Sequence, residues 1–314
     1  LGKKADSRSL SLAHCDLTAT DLLELGTLLQ FLPQVEEMDV SWNELIGGCL
    51  AALTTHLRHV AGVRTLRLCS CRLNADDIAA LGMVAALPRL CVLDVSCNDE
   101  LTQEVDSGGF RELAASLSHA TSLTSLRLQA CGLTADSLDA LGTNIYFFQV
   151  LPSLTTLMEL DVSSNKEAGG VVHLLVSALP LMQMRRLPLN SCYLTAAVCR
   201  RGCLSSLRAL DLSYNSSVGD DGWCALFAAG GLGSLEDVDV SLRPSASAPC
   251  SAWLPALLRA LPQTPALARL AMQRWTAGSQ ERQQLSYCLR KRSVLLEWDP
   301  VSNQESPEES QPEE

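Results

Sequence analysis

Apolar residues recur in this chain as short pairs at fixed intervals. Residues 90–101 read L-x-x-L-x-V-x-x-N-x-x-L, with Leu90, Leu93, Val95, Asn98 and Leu101 at the fixed places. Leu93 and Val95 are two apart, so on a strand they share one face while Asp94 points to the other. Asn98 falls where the strand ends. Its amide is expected to hydrogen-bond the backbone of the coils above and below. The unit recurs at Leu10–Leu12, Met38–Val40, Leu66–Leu68, Leu126–Leu128, Leu160–Val162, Leu187–Leu189 and Leu210–Leu212, then more weakly at Val238–Val240 and Leu270–Met272. Successive starts are separated by 28, 28 and 27 residues at first. That period fits a strand, a turn, a helix of about three turns and a return.

The residue three after the second core position alternates strictly: Cys15, Asn43, Cys71, Asn98, Cys131, Asn165, Cys192, Asn215. Helix starts follow the Cys-type strands at Thr18–Asp21, Asn74–Asp77 and Thr134–Ser137, where Thr or Asn caps and acids face the positive helix end. The Asn-type strands are followed instead by Gly47-Gly48, Gly108-Gly109, Gly169-Gly170 or Asp221-Gly222. The chain resembles the ribonuclease-inhibitor class of leucine-rich repeats over residues 10–275. The resemblance implies an α/β leucine-rich-repeat solenoid, a horseshoe with a parallel inner sheet and outer helices. Members of the class include the ribonuclease inhibitor, the repeat regions of nucleotide-binding immune receptors and relatives of the Ran GTPase-activating protein. A fold used for so many partners implies no single function.

The expected organisation is residues 1–275 as repeats with about ten strands, 276–298 as a C-terminal cap and 299–314 as a disordered acidic tail. Within it, the 34-residue step from Leu126 to Leu160 carries an insertion at 144–149 with Tyr146, Phe147 and Phe148. This insertion is either a lengthened helix or an exposed aromatic knob. The 23-residue step from Leu187 to Leu210 leaves room for a single helical turn near Ala196–Cys199. Beyond Val240 the pattern decays. Ser245–Pro249 reads as a loop, Trp275 replaces the consensus Cys or Asn, 279–292 reads as a helix and 293–298 as a last strand. The start at Leu1, almost inside a strand, suggests that an N-terminal part lies upstream, since solenoids are capped at their ends.

Residues between the two core positions face the inside of the horseshoe: Ser11, Asp39, Arg67, Asp94, Arg127, Asp161, Pro188, Asp211, Asp239 and Ala271. Their charge alternates from Asp39 to Asp161, which predicts a self-neutralised ladder of weak pairs. Asp211 and Asp239 have no base beside them in this row, making that end the better place for a basic ligand. The next row (Ala13, Ser41, Cys69, Ser96, Gln129, Ser163, Asn190, Ser213, Ser241, Gln273) reads as a smooth polar floor. One position further lie His14, Trp42, Ser70, Cys97, Ala130, Ser164, Ser191, Tyr214, Leu242 and Arg274. Trp42 and Tyr214 are the large candidate anchors there. The candidate partner-binding residues are therefore Trp42, Arg67, Asp94, Arg127, Asp161, Asp211, Tyr214 and Asp239.

Composition narrows the function classes. Hydrophobic residues make up 47%, enough for a continuous leucine-rich interior, while aromatics are only 4%, so each exposed one counts. The net charge is -11; Asp299, Glu305, Glu308, Glu309, Glu313 and Glu314 hold six of those charges, leaving a mild -5 for the repeats. That balance argues against nucleic acid. The 13 cysteines show no pairing pattern, which implies a reducing, cytoplasmic setting. Asn215-Ser-Ser matches a glycosylation sequon, but a ladder asparagine is buried, so the match reads as accidental. There is no phosphate loop, nucleophile elbow or metal spacing. His56 and His59 lack a carboxylate set, Cys199 and Cys203 lack a trusted zinc spacing, and no arginine stands out as catalytic. The reading is a non-catalytic interaction module without cofactor, membrane or small-molecule partner. The alternatives are an enzyme inhibitor resembling the ribonuclease inhibitor, or the sensor region of a larger signalling protein.

Overall fold

The computed structural model describes residues 7–57, 59–85, 87–102, 113, 115–134, 154–170, 172–179, 182–199, 206–230 and 232–299. Eleven short parallel strands form one sheet in strict chain order. They are β1 (Ser9–Ser11), β2 (Glu37–Asp39), β3 (Thr65–Arg67), β4 (Val92–Asp94), β5 (Ser125–Arg127), β6 (Glu159–Asp161), β7 (Arg186–Pro188), β8 (Ala209–Asp211) and β9 (Asp237–Asp239), followed by β11 (Arg269–Ala271) and β13 (Leu295–Glu297). Each is centred on the first core position of its repeat. Leu10, Met38, Leu66, Leu93, Leu126 and Leu160 stand in register, and so do Leu187, Leu210, Val238, Leu270 and Leu296. The periodic apolar pair thus sets strand register without slippage, because a one-residue slip would expose every leucine.

The helices α1 (Ala19–Leu28), α2 (Ala51–Leu57), α3 (Ala75–Ala85), α4 (Val172–Ala178), α5 (Ala196–Cys199), α6 (Gly219–Ala228), α7 (Leu254–Ala260) and α8 (Ser279–Arg290) cover the other side. The single turn α5 is the length its short repeat predicts. A continuous apolar layer lies between sheet and helices, with Leu66, Leu93, Leu126 and Leu160 wholly buried. Towards the C-terminal end, helix α8 leads into β13, which pairs with β11 at the edge of the sheet. One expectation fails: Ala248–Pro249 is not loop but strand β10, paired in parallel with β12 (Trp275–Thr276). The chain leaves the repeat pattern there, and the two residues gain backbone partners that a loop would lack. The insertion at 144–149, Gly108-Gly109, residues 135–137, Cys203 and the tail from residue 300 lie outside the described residues.

Side chains complete the polar ladder at the strand ends. The Asn98 Oδ1 accepts N–H groups from Cys71 (2.9 Å) and Leu73 (3.1 Å), while its Nδ2 donates to the carbonyls of Leu68, Val95 and Ser96. Asn43, Asn165 and Asn215 repeat the same five contacts on their own coils. Each amide therefore serves its own coil and the preceding one, not the coils on both sides. The link onward comes from cysteine. The Sγ of Cys71, Cys131 and Cys192 donates to Val40, Val95 and Val162 of the Asn-type coil before it, at 3.2–3.3 Å. Trp275 takes the Cys place, its Nε1 donating to Val240 at 2.8 Å. Cys71, Cys131 and Cys192 are buried, whereas Cys15 is exposed, since no strand precedes β1 among the described residues. Asn215 is buried and fully bonded, consistent with an accidental sequon.

The two turn types have distinct causes. Thr18 caps α1 and forms a reciprocal capping box with Asp21. Asp77 does more: its buried carboxylate accepts Asn74 N–H in its own coil (3.0 Å) and Gly48 and Leu50 N–H in the coil before (2.6 and 2.9 Å). After Asn-type strands, glycine is imposed by crowding. A Cβ at Gly47 would come within 2.1 Å of Arg72 O, and one at Gly169 within 2.1 Å of Tyr193 O.

Two outcomes follow for stability. Asn98→Ala removes every ladder contact of one coil and leaves buried carbonyls unpaired, so denaturant unfolding should show a loss of at least ~3 kcal/mol. An unchanged midpoint would contradict the ladder. Leu93→Asp places a charge in the apolar layer and should abolish cooperative unfolding of the neighbouring coils, checked by circular dichroism melts.

Candidate protein-binding surface

A three-residue strand offers two outward positions, one on either side of its core residue. The row of alternating charge is the second. The first supplies Glu37, Glu159, Arg186, Asp237, Arg269 and Leu295, which the same two-residue periodicity would have found. Taking both rows, nine carboxylates (Glu37, Asp39, Asp94, Glu159, Asp161, Asp211, Asp237, Asp239, Glu297) meet four guanidinium groups (Arg67, Arg127, Arg186, Arg269). Pro188 and Ala271, placed on this face by the sequence reading, are buried.

The expected row of alternating ion pairs is only partly present. Arg127 reaches Asp94 at 3.8 Å but lies nearer to Glu159, at 3.3 Å, in the other row. Arg186 also approaches Glu159, at 3.8 Å. Arg67 makes no ion pair among the described residues. The aspartates are held locally instead. Asp39, Asp94, Asp161, Asp211 and Asp239 each accept the N–H two residues on, at 2.9–3.0 Å, closing the strand end.

The acidic end also differs from expectation. Arg269 bonds Asp237 (2.7 Å), Asp239 (3.4 Å) and Glu297 (2.8 Å), clamping three strands together. Its guanidinium pKa is raised, first by the bond to Glu297. Asp239 therefore has its base after all, supplied by the row the sequence reading left out. Asp211 makes no ion pair among the described residues. Burial pushes its carboxyl above the usual range, Ser213 opposes this, and Asp239 and Asp237 add to it.

The supposed polar floor is spent on structure. Ser41, Ser96, Ser163, Ser213 and Ser241 are buried. Ser41 Oγ accepts Cys69 N–H at 3.1 Å, and Ser241 Oγ accepts Gln273 N–H at 3.0 Å. The next row is the rim proper. His14, Trp42, Ser70, Cys97, Ala130, Ser164, Ser191, Tyr214 and Arg274 all have φ between 50° and 69°. Each turns the chain out of its strand in left-handed backbone, costing about 1 kcal/mol per non-glycine residue. Leu242 alone departs: it is buried and has no positive φ, as the chain there runs on towards β10.

At the rim Trp42 is 48% exposed and Tyr214 37%. Trp42 stacks flat on His14, centroids 5.4 Å apart. Tyr193, one coil before Tyr214, is exposed too and carries Arg243 over its ring at 5.6 Å. Between these aromatic posts the rim residues are small, and an open trough crosses them, lined by Ser70, Cys97, Ala130 and Ser164. Among the described residues, no group of three or more His, Cys, Asp or Glu is placed to hold a metal ion. His56 is half-buried, its ring against Gly26 of α1, which makes it a packing residue. No helix among the described residues is long and apolar enough to cross a membrane.

Burial separates the thiols chemically. It pushes Cys71 and Cys192 up to about 11 and Cys131 up to about 12. At pH ~8, N-ethylmaleimide should therefore modify the exposed Cys15 and Cys97 well before these three, read by peptide mass spectrometry. For Asp211, a folded pKa above the unfolded ~3.9 means the folded form binds the proton more tightly. Its penalty is absent at low pH and grows as pH rises through the raised value. Asp211→Asn, which keeps an acceptor for Ser213, should melt at or above wild type at neutral pH, with the gap closing on acidification. A lower melting temperature at neutral pH would contradict this.

The family model described as Leucine Rich repeat matches residues 203–226. The pig ribonuclease inhibitor is 33% identical over 226 residues, covering 68% of this chain and 47% of that protein. Human NACHT, LRR and PYD domains-containing protein 12 is 32% identical over 225 residues, covering 68% of this chain and 20% of that protein. The chain thus spans about half or less of the curated relatives it matches. Among solved structures, the TLR13–ssRNA13 complex aligns at a TM-score of 0.52 with 17% identity, over 94% of this chain and 36% of that one, a likeness of fold alone. With its alternating Asn and Cys ladder, its unbroken parallel sheet and these relatives, the chain is a ribonuclease-inhibitor-like leucine-rich-repeat protein.

Proposed function

We propose that this chain is a non-catalytic, cytoplasmic protein-interaction module whose concave face and loop-side rim bind a protein partner. The observation that carries the reading is the rim. Trp42 and Tyr214 stand half-exposed on rigid left-handed turns, fixed by backbone bonds to Cys69 (2.7 Å) and Ser241 (2.8 Å). Exposed aromatics on a preorganised backbone lose little entropy on binding and supply most of the energy at interfaces. The candidate charges Arg67, Asp94, Arg127, Asp161, Asp211 and Asp239 lie on the strands beside them and set orientation and partner choice more than affinity. The free state of the twelve described cysteines favours a reducing compartment. The acidic excess on the sheet disfavours nucleic acid, whose phosphates need cationic contacts.

A second reading, an inhibitor of a basic enzyme, is favoured by the excess of carboxylates over guanidinium groups on the strands. It differs in one measurable respect. Charge-driven binding weakens steeply with ionic strength, whereas aromatic anchoring does not.

Affinity capture from cytosol with the wild-type chain, set against a Trp42→Ala, Tyr214→Ala double variant of equal thermal stability, tests the proposal. The expected outcome is a partner whose affinity falls at least ~30-fold in the variant, the loss of one or two interface anchors. A partner retained at full affinity would refute the rim as the binding site. If the double variant melts early, the two residues are structural and the assignment is wrong.

A further inference from the structure

Two thiols meet on neighbouring coils, Cys69 in the floor row and Cys97 on the rim. Cys69 follows β3 and Cys97 follows β4. Leu66 is in register with Leu93, and the ladder runs on past both strands, with Leu68 N–H to Asp94 O at 2.8 Å and Ser70 N–H to Ser96 O at 3.0 Å. Cys69 is therefore level with Ser96 and one residue diagonal from Cys97. Parallel neighbours lie roughly 5 Å apart, so the diagonal Cα separation of about 6 Å falls within the span of a disulfide. Cys97 is exposed, sits in left-handed backbone at φ 60° and lines the open trough, while Cys69 is half-buried beside it. Both are free thiols.

We propose that Cys69 and Cys97 are a modification site, a thiol pair that closes to a disulfide when the protein meets a peroxide. Cys97 is the sulfur that the oxidant reaches first. Burial, and next the adjacent Cys97, push the Cys69 thiol up to about 12, so Cys69 is not the sulfur that reacts first. The Cys97 thiolate attacks the peroxide O–O bond, giving Cys97 sulfenic acid and, with a proton, one water. Cys69 then loses its proton and its sulfur displaces the sulfenic oxygen as a second water. Two thiols lose two electrons in all, and one hydrogen peroxide becomes two waters. The new bond ties two adjacent coils at the edge of the trough that Cys97 lines, beside residues with φ already fixed, and a low-molecular-weight thiol reverses it.

The test treats the whole chain with stoichiometric hydrogen peroxide after removal of reductant, then alkylates it and maps the cysteines by tandem mass spectrometry. Before alkylation the expected product is about 2 Da lighter, and mapping after alkylation shows a Cys69–Cys97 link that dithiothreitol removes. Cys69→Ser and Cys97→Ser should each abolish the link, and both reduced variants should melt within ~2 °C of wild type, since neither side chain fills the apolar layer. The proposal is overturned if Cys97 accumulates as sulfinic acid while Cys69 stays alkylatable. It is equally overturned if the link joins Cys71 or Cys91, or if it persists in Cys97→Ser. None of these outcomes depends on whether the rim binds a protein.

Discussion

The amide of one buried asparagine, repeated every other coil, is the constraint on which this architecture rests. Beyond the point where the inter-coil backbone bonds run out, N–H groups such as those of Cys71 and Leu73 need another acceptor, inside a layer that water does not enter. Asn98 alone makes five bonds across two coils. Each bond contributes about 1 kcal/mol net, but leaving the groups unpaired costs more than the bonds contribute. The cysteine thiols answer from the other side, so that Asn reaches back to a Cys-type coil and Cys reaches back to an Asn-type coil. The strict alternation in the sequence is this relay. Trp275 shows that the requirement is a donor aimed at the carbonyl before it rather than a thiol as such.

The rest of the molecule inherits its spacing from this relay. Interactions pass only between neighbouring coils, so stability is a sum of local interfaces. Asp77, which caps helices on two successive coils, and Arg269, which bonds three strands, strengthen particular joints. The rim follows from the same geometry. The chain must turn in left-handed backbone immediately before each ladder residue, whatever side chain stands there. The backbone is fixed and the side chain is free, which is the condition under which Trp42, Tyr214 or Cys97 can take on a role without disturbing the fold.

The fold was legible in the sequence because both of its causes are periodic. The apolar pair located ten of the eleven strands of the main sheet, the last being read apart from it at 293–298, and the Asn–Cys alternation located the ladder. What escaped was non-periodic or doubled. The first outward row was overlooked because the apolar pair brackets only the second, and Arg269 with its carboxylates went with it. The serines read as an open floor because hydroxyls in a sequence do not disclose that Cys69 N–H and Gln273 N–H need them. The β10–β12 pair lies where the repeat pattern lapses, and two-residue strands carry no pattern of their own. At the candidate site, the large rim residues were visible by position, and the pairing of Cys69 with Cys97 required the register.

The most direct measurement of the central claim is native-state hydrogen exchange of the ladder amides. Among the described residues, the N–H groups of Cys71, Leu73, Cys131, Leu133, Cys192 and Leu194 bond an asparagine side chain and no backbone carbonyl. If the amide ladder holds the coils together, these protons should exchange as slowly as those of the strand centres, through unfolding of whole coils. Exchange at the rate of exposed loops, with the strands still protected, would mean that the sheet and apolar layer stand without the ladder, and would contradict the account.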